Sequence, residues 1–181
     1  MRWLTISGRL RKTSTNSAAL EAFARLAPAE VEVSPYRGLA DLPAFNPDDD
    51  AQGAEPPASV AELRAAVAAA AAIVIAAPEY AHGVPGALKN ALDWLVASDD
   101  FAGKPVALIN AAPRAFHAQA ALREILGTMA ARLTPEAFAT VALTGRIVAA
   151  EDILADDRLA APLRAAAEAL YEALRVTRGL V

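Results

Sequence analysis

Cysteine is absent from the 181 residues. That excludes disulfides, thiolate metal sites and cysteine nucleophiles, and leaves the redox compartment undetermined. Any redox chemistry must therefore come from a bound cofactor. Positive charge is in short supply too. The 17 Lys and Arg against 21 Asp and Glu give a net charge of −4, and the scattered cations form no stripe of the kind nucleic acid needs. No apolar run is long. The longest, Val67 to Ala77, falls well short of the ~20 residues a membrane span requires. Met1-Arg2-Trp3-Leu4-Thr5-Ile6 is too short and too strand-like for a signal peptide. The expectation is a cytoplasmic protein that binds neither nucleic acid nor membrane. The hydrophobic share is 55%, but much of it is alanine, which adds helix propensity more than core volume. The length suits one domain over residues 1–181.

Strand and helix patterns alternate along the whole chain. Strands are expected at Trp3 to Ser7, Val31 to Tyr36, Ala72 to Ala77, Val106 to Ala111 and Phe138 to Leu143. Helices are expected at Asn16 to Leu26, Ala58 to Ala70, Gly86 to Ala97, Ala118 to Met129 and Ala160 to Arg175. Leu39 to Pro57, rich in Pro, Asp and Asn, reads as a long loop. Five strands separated by helices imply an α/β doubly wound parallel sheet, and the near-continuous apolar third and fourth strands fit burial on both faces. Flavodoxin-like strand order 2-1-3-4-5 is inferred, which puts ligands outside the carboxyl ends of strands one, three and four.

The loop after strand one, Ser7-Gly8-Arg9-Leu10-Arg11-Lys12-Thr13-Ser14-Thr15-Asn16, opens a helix. Helix N-termini attract phosphate through unpaired N–H groups and the positive dipole end. Arg11 adds a forked cation. The loop matches neither a Walker loop nor a three-glycine dinucleotide fingerprint. Two readings stand, a phosphate cradle and a plain helix cap built from Ser14 to Asn16.

After strand three comes Pro78-Glu79-Tyr80-Ala81-His82-Gly83-Val84-Pro85-Gly86-Ala87-Leu88-Lys89-Asn90-Ala91-Leu92-Asp93-Trp94, a stiff turn leading into a helix with Pro85 suited to its start. This segment resembles the NADPH-dependent FMN reductases, the flavodoxin-like group that includes chromate and quinone reductases. The family's first-loop pattern, Gly-Ser-x-Arg-x-x-Ser-x-Asn, is met in register by Gly8, Arg11, Ser14 and Asn16. Arg9 stands where the family usually has serine. The resemblance implies that Arg9, Arg11, Ser14, Thr15 and Asn16 wrap the FMN phosphate. It also implies that Pro78, Glu79, Tyr80 and Ala81 lie against the flavin ring, with alanine replacing the usual asparagine at 81. His82 has two readings, a structural residue or a proton donor to a bound acceptor. For Glu79, Asp93 and Trp94 structural or subunit-contact roles are expected, and no side chain is assigned as catalytic or metal-binding.

The loop after strand four is Asn110-Ala111-Ala112-Pro113-Arg114-Ala115-Phe116-His117-Ala118-Gln119. It keeps the family's Ala-Gln and Leu-Arg-x-x-Leu but lacks its glycines, and it is shorter than that pattern by about three residues. Ala111 or Ala112 takes the place of the family's usual flavin-contacting serine, with Ala112 taken as the contact, while Arg114 and His117 read either as solvated loop residues or as an anion site. The resemblance implies an enzyme with FMN and NADPH (or NADH) as cofactors. Electrons would pass through the flavin to a quinone, free flavin, azo compound or metal oxyanion. A homodimer or homotetramer is implied as well. The alternative is a flavin-binding electron carrier or sensor. No sequence pattern identifies a 2′-phosphate pocket, and the Leu88, Leu92, Leu95 face can pack within one chain or between chains.

Overall fold

The computed structural model describes residues 1–11, 13–51, 55–143 and 149–177. β1 (Arg2–Ser7), α1 (Thr15–Leu26), β2 (Glu32–Tyr36), α2 (Ala58–Ala69), β3 (Ala72–Ala76), α3 (Gly86–Leu95), β4 (Pro105–Asn110) and α4 (Phe116–Thr128) follow in order. The sheet is parallel throughout, with β2, β1, β3 and β4 as neighbours in that sequence. Every residue of β3 and β4 is buried, as central parallel strands covered on both faces must be. Trp3 and Phe23 anchor the core beneath α1, with α5 (Ala150–Ala155) and α6 (Asp157–Thr177) beside it. Leu63, Leu92 and Leu122 mark the opposite core beneath α2, α3 and α4. Among the described residues, no helix is long and apolar enough to cross a membrane.

The fifth position of the sheet differs from the expected single strand at Phe138 to Leu143. It is shared by β5 (Arg132–Leu133), against the start of β4, and β6 (Ala139–Thr140), against its end. A 3-10 turn at Pro135–Ala137 separates them. Pro135 has no N–H to give the ladder, so the chain leaves the sheet there and returns. Pairing then continues irregularly, with Val141 N donating to Asn110 O at 2.8 Å and Leu143 N to Ala111 O at 3.3 Å. α5 was not expected, and α6 starts earlier than Ala160 because Asp156 accepts from Arg158 N at 3.0 Å.

Leu88, Leu92 and Leu95 are all buried inside the chain, which settles where that face packs. Trp94 is buried as well, and its indole N–H donates to Pro43 O at 2.9 Å. Asn90 grips the same loop twice. Its Nδ2 donates to Pro43 O at 2.8 Å, and its Oδ1 accepts from Phe45 N at 2.8 Å. Arg64 of α2 reaches both Asp50 carboxylate oxygens, at 2.8 and 2.7 Å, and Trp94 O at 2.7 Å. These contacts fasten the long loop after β2 to α3, so the Asn-x-x-x-Trp spacing acts as a clamp within the chain. Removing Arg64 leaves Asp50, whose side chain is 10% exposed, without its cation. Arg64→Ala should therefore destabilise the protein by about 2 kcal/mol, measured by urea unfolding. Unchanged stability would contradict the clamp.

Candidate functional site

The carboxyl ends of β1, β3 and β4 release three loops along one edge. Gly8 N donates to Ala76 O at 2.8 Å, which seats the first loop beside β3. A Cβ on Gly8 would stand 3.0 Å from Leu88 Cδ2 and 3.1 Å from Ala77 Cβ, so glycine lets the loop lie tight against β3 and α3, and any side chain would push its neighbours aside. Ser14 is the N-cap of α1. Its Oγ accepts from Asn16 N at 3.2 Å and Ser17 N at 3.5 Å, so the capping reading is correct as far as it goes. It leaves the cradle reading open, because Asn16 is 3% exposed and its buried Oδ1 has no partner among the described residues. An unsatisfied buried amide oxygen is costly and calls for an explanation. Thr15 and Arg9 are half-buried, Arg11 is exposed, and Lys12 lies outside the described residues.

The second loop folds back on itself. Tyr80 N donates to Gly83 O at 3.1 Å, and Gly83 N to Tyr80 O at 2.9 Å. Between them Ala81 and His82 both have positive φ, 48° and 59°. Two left-handed residues in a two-residue turn are the mark of a type I′ hairpin, a geometry that favours Asn, Asp and Gly. Tyr80 is 50% exposed at this turn, while Pro78 and Glu79 are half-buried behind it.

Glu79 ties this loop to the third. α4 starts after Ala115, which offers no side-chain cap. Instead the Glu79 carboxylate accepts from Ala118 N at 2.9 Å, supplying both an acceptor and a negative charge at the helix N-terminus. Sequence reading gave Glu79 a structural role but did not find this partner. The only available hint was the lack of Ser, Thr, Asp or Asn just before the helix. The two histidines of the chain also meet here. The rings of His82 and His117 stack with centroids 4.3 Å apart, and the Phe116 ring lies 4.2 Å from that of His117, tilted by 38°. Ala112 is held in place differently from a ligand-facing serine, since its N–H donates to Asn110 Oδ1 at 3.0 Å. Arg114 is exposed. No group of three or more metal-ligating side chains exists among the described residues.

The left-handed cost at position 81 yields a stability test. An L-residue other than Asn, Asp or Gly gives up roughly 1–2 kcal/mol there, so Ala81→Asn should stabilise the protein by about 0.5–1 kcal/mol. Denaturant midpoints check this, and a loss of stability would contradict the turn geometry.

Comparison with known proteins agrees with this arrangement. The family described as NADPH-dependent FMN reductase matches residues 1–144. A quinone reductase of Escherichia coli K12 is 42% identical over 106 residues, covering 57% of this chain and 55% of that protein. The chain thus spans just over half the length of that relative. The NADH:(hydroxy)cinnamate reductase subunit CrdA of Vibrio ruber is 38% identical over 141 residues, 75% of this chain and 68% of that protein. Among solved structures, the flavoenzyme NAD(P)H:(acceptor) oxidoreductase FerB of Paracoccus denitrificans superposes with a TM-score of 0.77 at 26% identity, over 97% of both chains. With the fold, the three converging loops and the match over residues 1–144 in agreement, the chain belongs to the NADPH-dependent FMN reductases, a family of flavin-dependent oxidoreductases that use FMN with a reduced nicotinamide nucleotide.

Proposed function

We propose that this chain, acting as one flavin-binding domain over residues 1–181, is an NAD(P)H-dependent FMN oxidoreductase that reduces small acceptors such as quinones. The observation that supports it most is the convergence of three loops on one sheet edge, with an unsatisfied buried amide oxygen on Asn16 in the helix turn that opens the first. The donor set fits FMN. Ser14, Thr15 and the first turn of α1 are suited to a phosphate, and exposed Arg11 adds the charge. The Asn16 amide is suited to a ligand hydroxyl. When bound, FMN supplies a ring that takes a hydride from the nicotinamide and returns two electrons to an acceptor.

The chain's own residues bind and orient. The Tyr80–Gly83 hairpin offers a rigid wall beside the ring position, and Glu79 fixes its distance to α4. His82 and His117 stack between the loops after β3 and β4, and a ring N–H there can donate a hydrogen bond to an acceptor. No side-chain nucleophile is involved. The reading includes a cytoplasmic setting and a homodimer or homotetramer. Tyr80 and Phe116, 50% and 63% exposed beside the loops, are surface such an assembly would cover. The alternative, a flavin-binding carrier or sensor without its own nicotinamide reaction, draws on the glycine-poor third loop and on the engaged N–H of Ala112.

Steady-state rates with NADPH and a quinone varied together should give parallel double-reciprocal lines, because nicotinamide leaves before the acceptor binds. An enzyme that oxidises no NADPH with any quinone would favour the carrier. Arg11→Ala combined with Ser14→Ala should weaken FMN by about tenfold or more while riboflavin weakens far less, because two charge-linked phosphate contacts are lost. Equal weakening of both flavins would remove the phosphate role from this loop.

A further inference from the structure

A groove of about 590 Å³ lies between α1 and the edge strand β2, just outside the first loop. Its volume falls among ordinary small-ligand sites, about 300–1,000 Å³. Leu20, Ala24 and Val33 give it an apolar side. Arg9 and Arg11 from the loop after β1, and Arg37 from the loop after β2, line its carboxyl-edge end. None of these three forms an ion pair with another described residue. Glu21, the single carboxylate among the described residues that line the groove, is already paired with Arg25 at 2.5 Å. With Arg11 assigned to the FMN phosphate, Arg9 and Arg37 remain beside apolar surface for a second anion attached to a flat organic body, since arginine both forks onto phosphate and stacks on aromatic planes. Tyr36 adds an aromatic edge. Its hydroxyl pKa is raised, first by burial and then by Glu62 and Asp41, which keeps it neutral.

We propose that this groove holds the 2′-phosphoadenosine end of NADPH, with Arg37 as the residue that selects the 2′-phosphate. The proposal rests on the reductase reading and adds to it a subsite and a nucleotide preference. The placement is reachable. β2, β1, β3 and β4 are successive neighbours about 4.8 Å apart, so an extended dinucleotide can lie along the carboxyl edge from the groove to the loops after β3 and β4. Arg37 is exposed, and its side chain makes no capping hydrogen bond to the short helix it precedes, so replacing it leaves the fold and the flavin loops untouched.

The test pairs calorimetry with kinetics on the FMN-loaded full chain and its Arg37→Glu variant. Adenosine 2′,5′-bisphosphate should bind the unaltered protein about tenfold or more tightly than AMP, and Arg37→Glu should erase that difference. The same variant should raise KM for NADPH about tenfold or more while leaving KM for NADH and kcat within about twofold. Equal binding of the two adenosine phosphates, or an NADPH KM unmoved by Arg37→Glu, would overturn the assignment. Failure of the unaltered protein to oxidise either nucleotide would instead remove the reductase reading, and the calorimetric comparison would still decide the groove.

Discussion

Everything at this site depends on three adjacent parallel strands, two of them buried along their full length. Because β3 and β4 are buried along their full length and β1 is held between β2 and β3, their directions are fixed by the ladder. All three must then hand their loops to the same edge. Parallel pairing requires crossover helices, and those helices supply the two cores that lock the strands. The first loop therefore ends in a helix N-terminus at the same edge where the second and third loops emerge. Functional groups from three stretches of chain between residues 9 and 117 meet at this edge although the stretches are far apart in sequence.

The loops themselves are held by borrowed partners. Glu79 caps a helix that has no cap of its own, Asn90 and Trp94 hold the loop after β2, and Arg64 joins two helices to Asp50. Each contact crosses between elements, so the site edge is rigid without large loop cores. The Ala81–His82 turn is the exception. There two ordinary residues sit in left-handed backbone, and strain of this kind gathers where a backbone must meet a ligand.

Much of this was legible in the sequence. Apolar runs gave β3 and β4, helical spacing gave α1 to α4, and the strand order followed from their alternation. The three loops were found from their motifs and the family they resemble. The fifth strand was not read correctly, since Pro135 breaks a ladder whose pieces look continuous in hydropathy. The Glu79 cap and the His82–His117 stack were hidden because the partners lie 39 and 35 positions apart (118 − 79 and 117 − 82). Pattern reading is local and does not join such residues. Arg37 carries no motif at all, and its relation to Arg9 and Arg11 exists only once β2 lies beside β1. Position 81 is instructive in another way. Asparagine, the family's usual residue there, tolerates the left-handed conformation that the alanine of this chain must also adopt.

A reductase of this kind must hold a flavin that a reduced nicotinamide nucleotide reduces. The direct measurement is the anaerobic absorbance spectrum of FMN-loaded, desalted protein before and after NADPH. An oxidised flavin spectrum should survive desalting and bleach on addition of NADPH. A retained flavin that stays oxidised, or no flavin retained at all, would contradict the reductase reading.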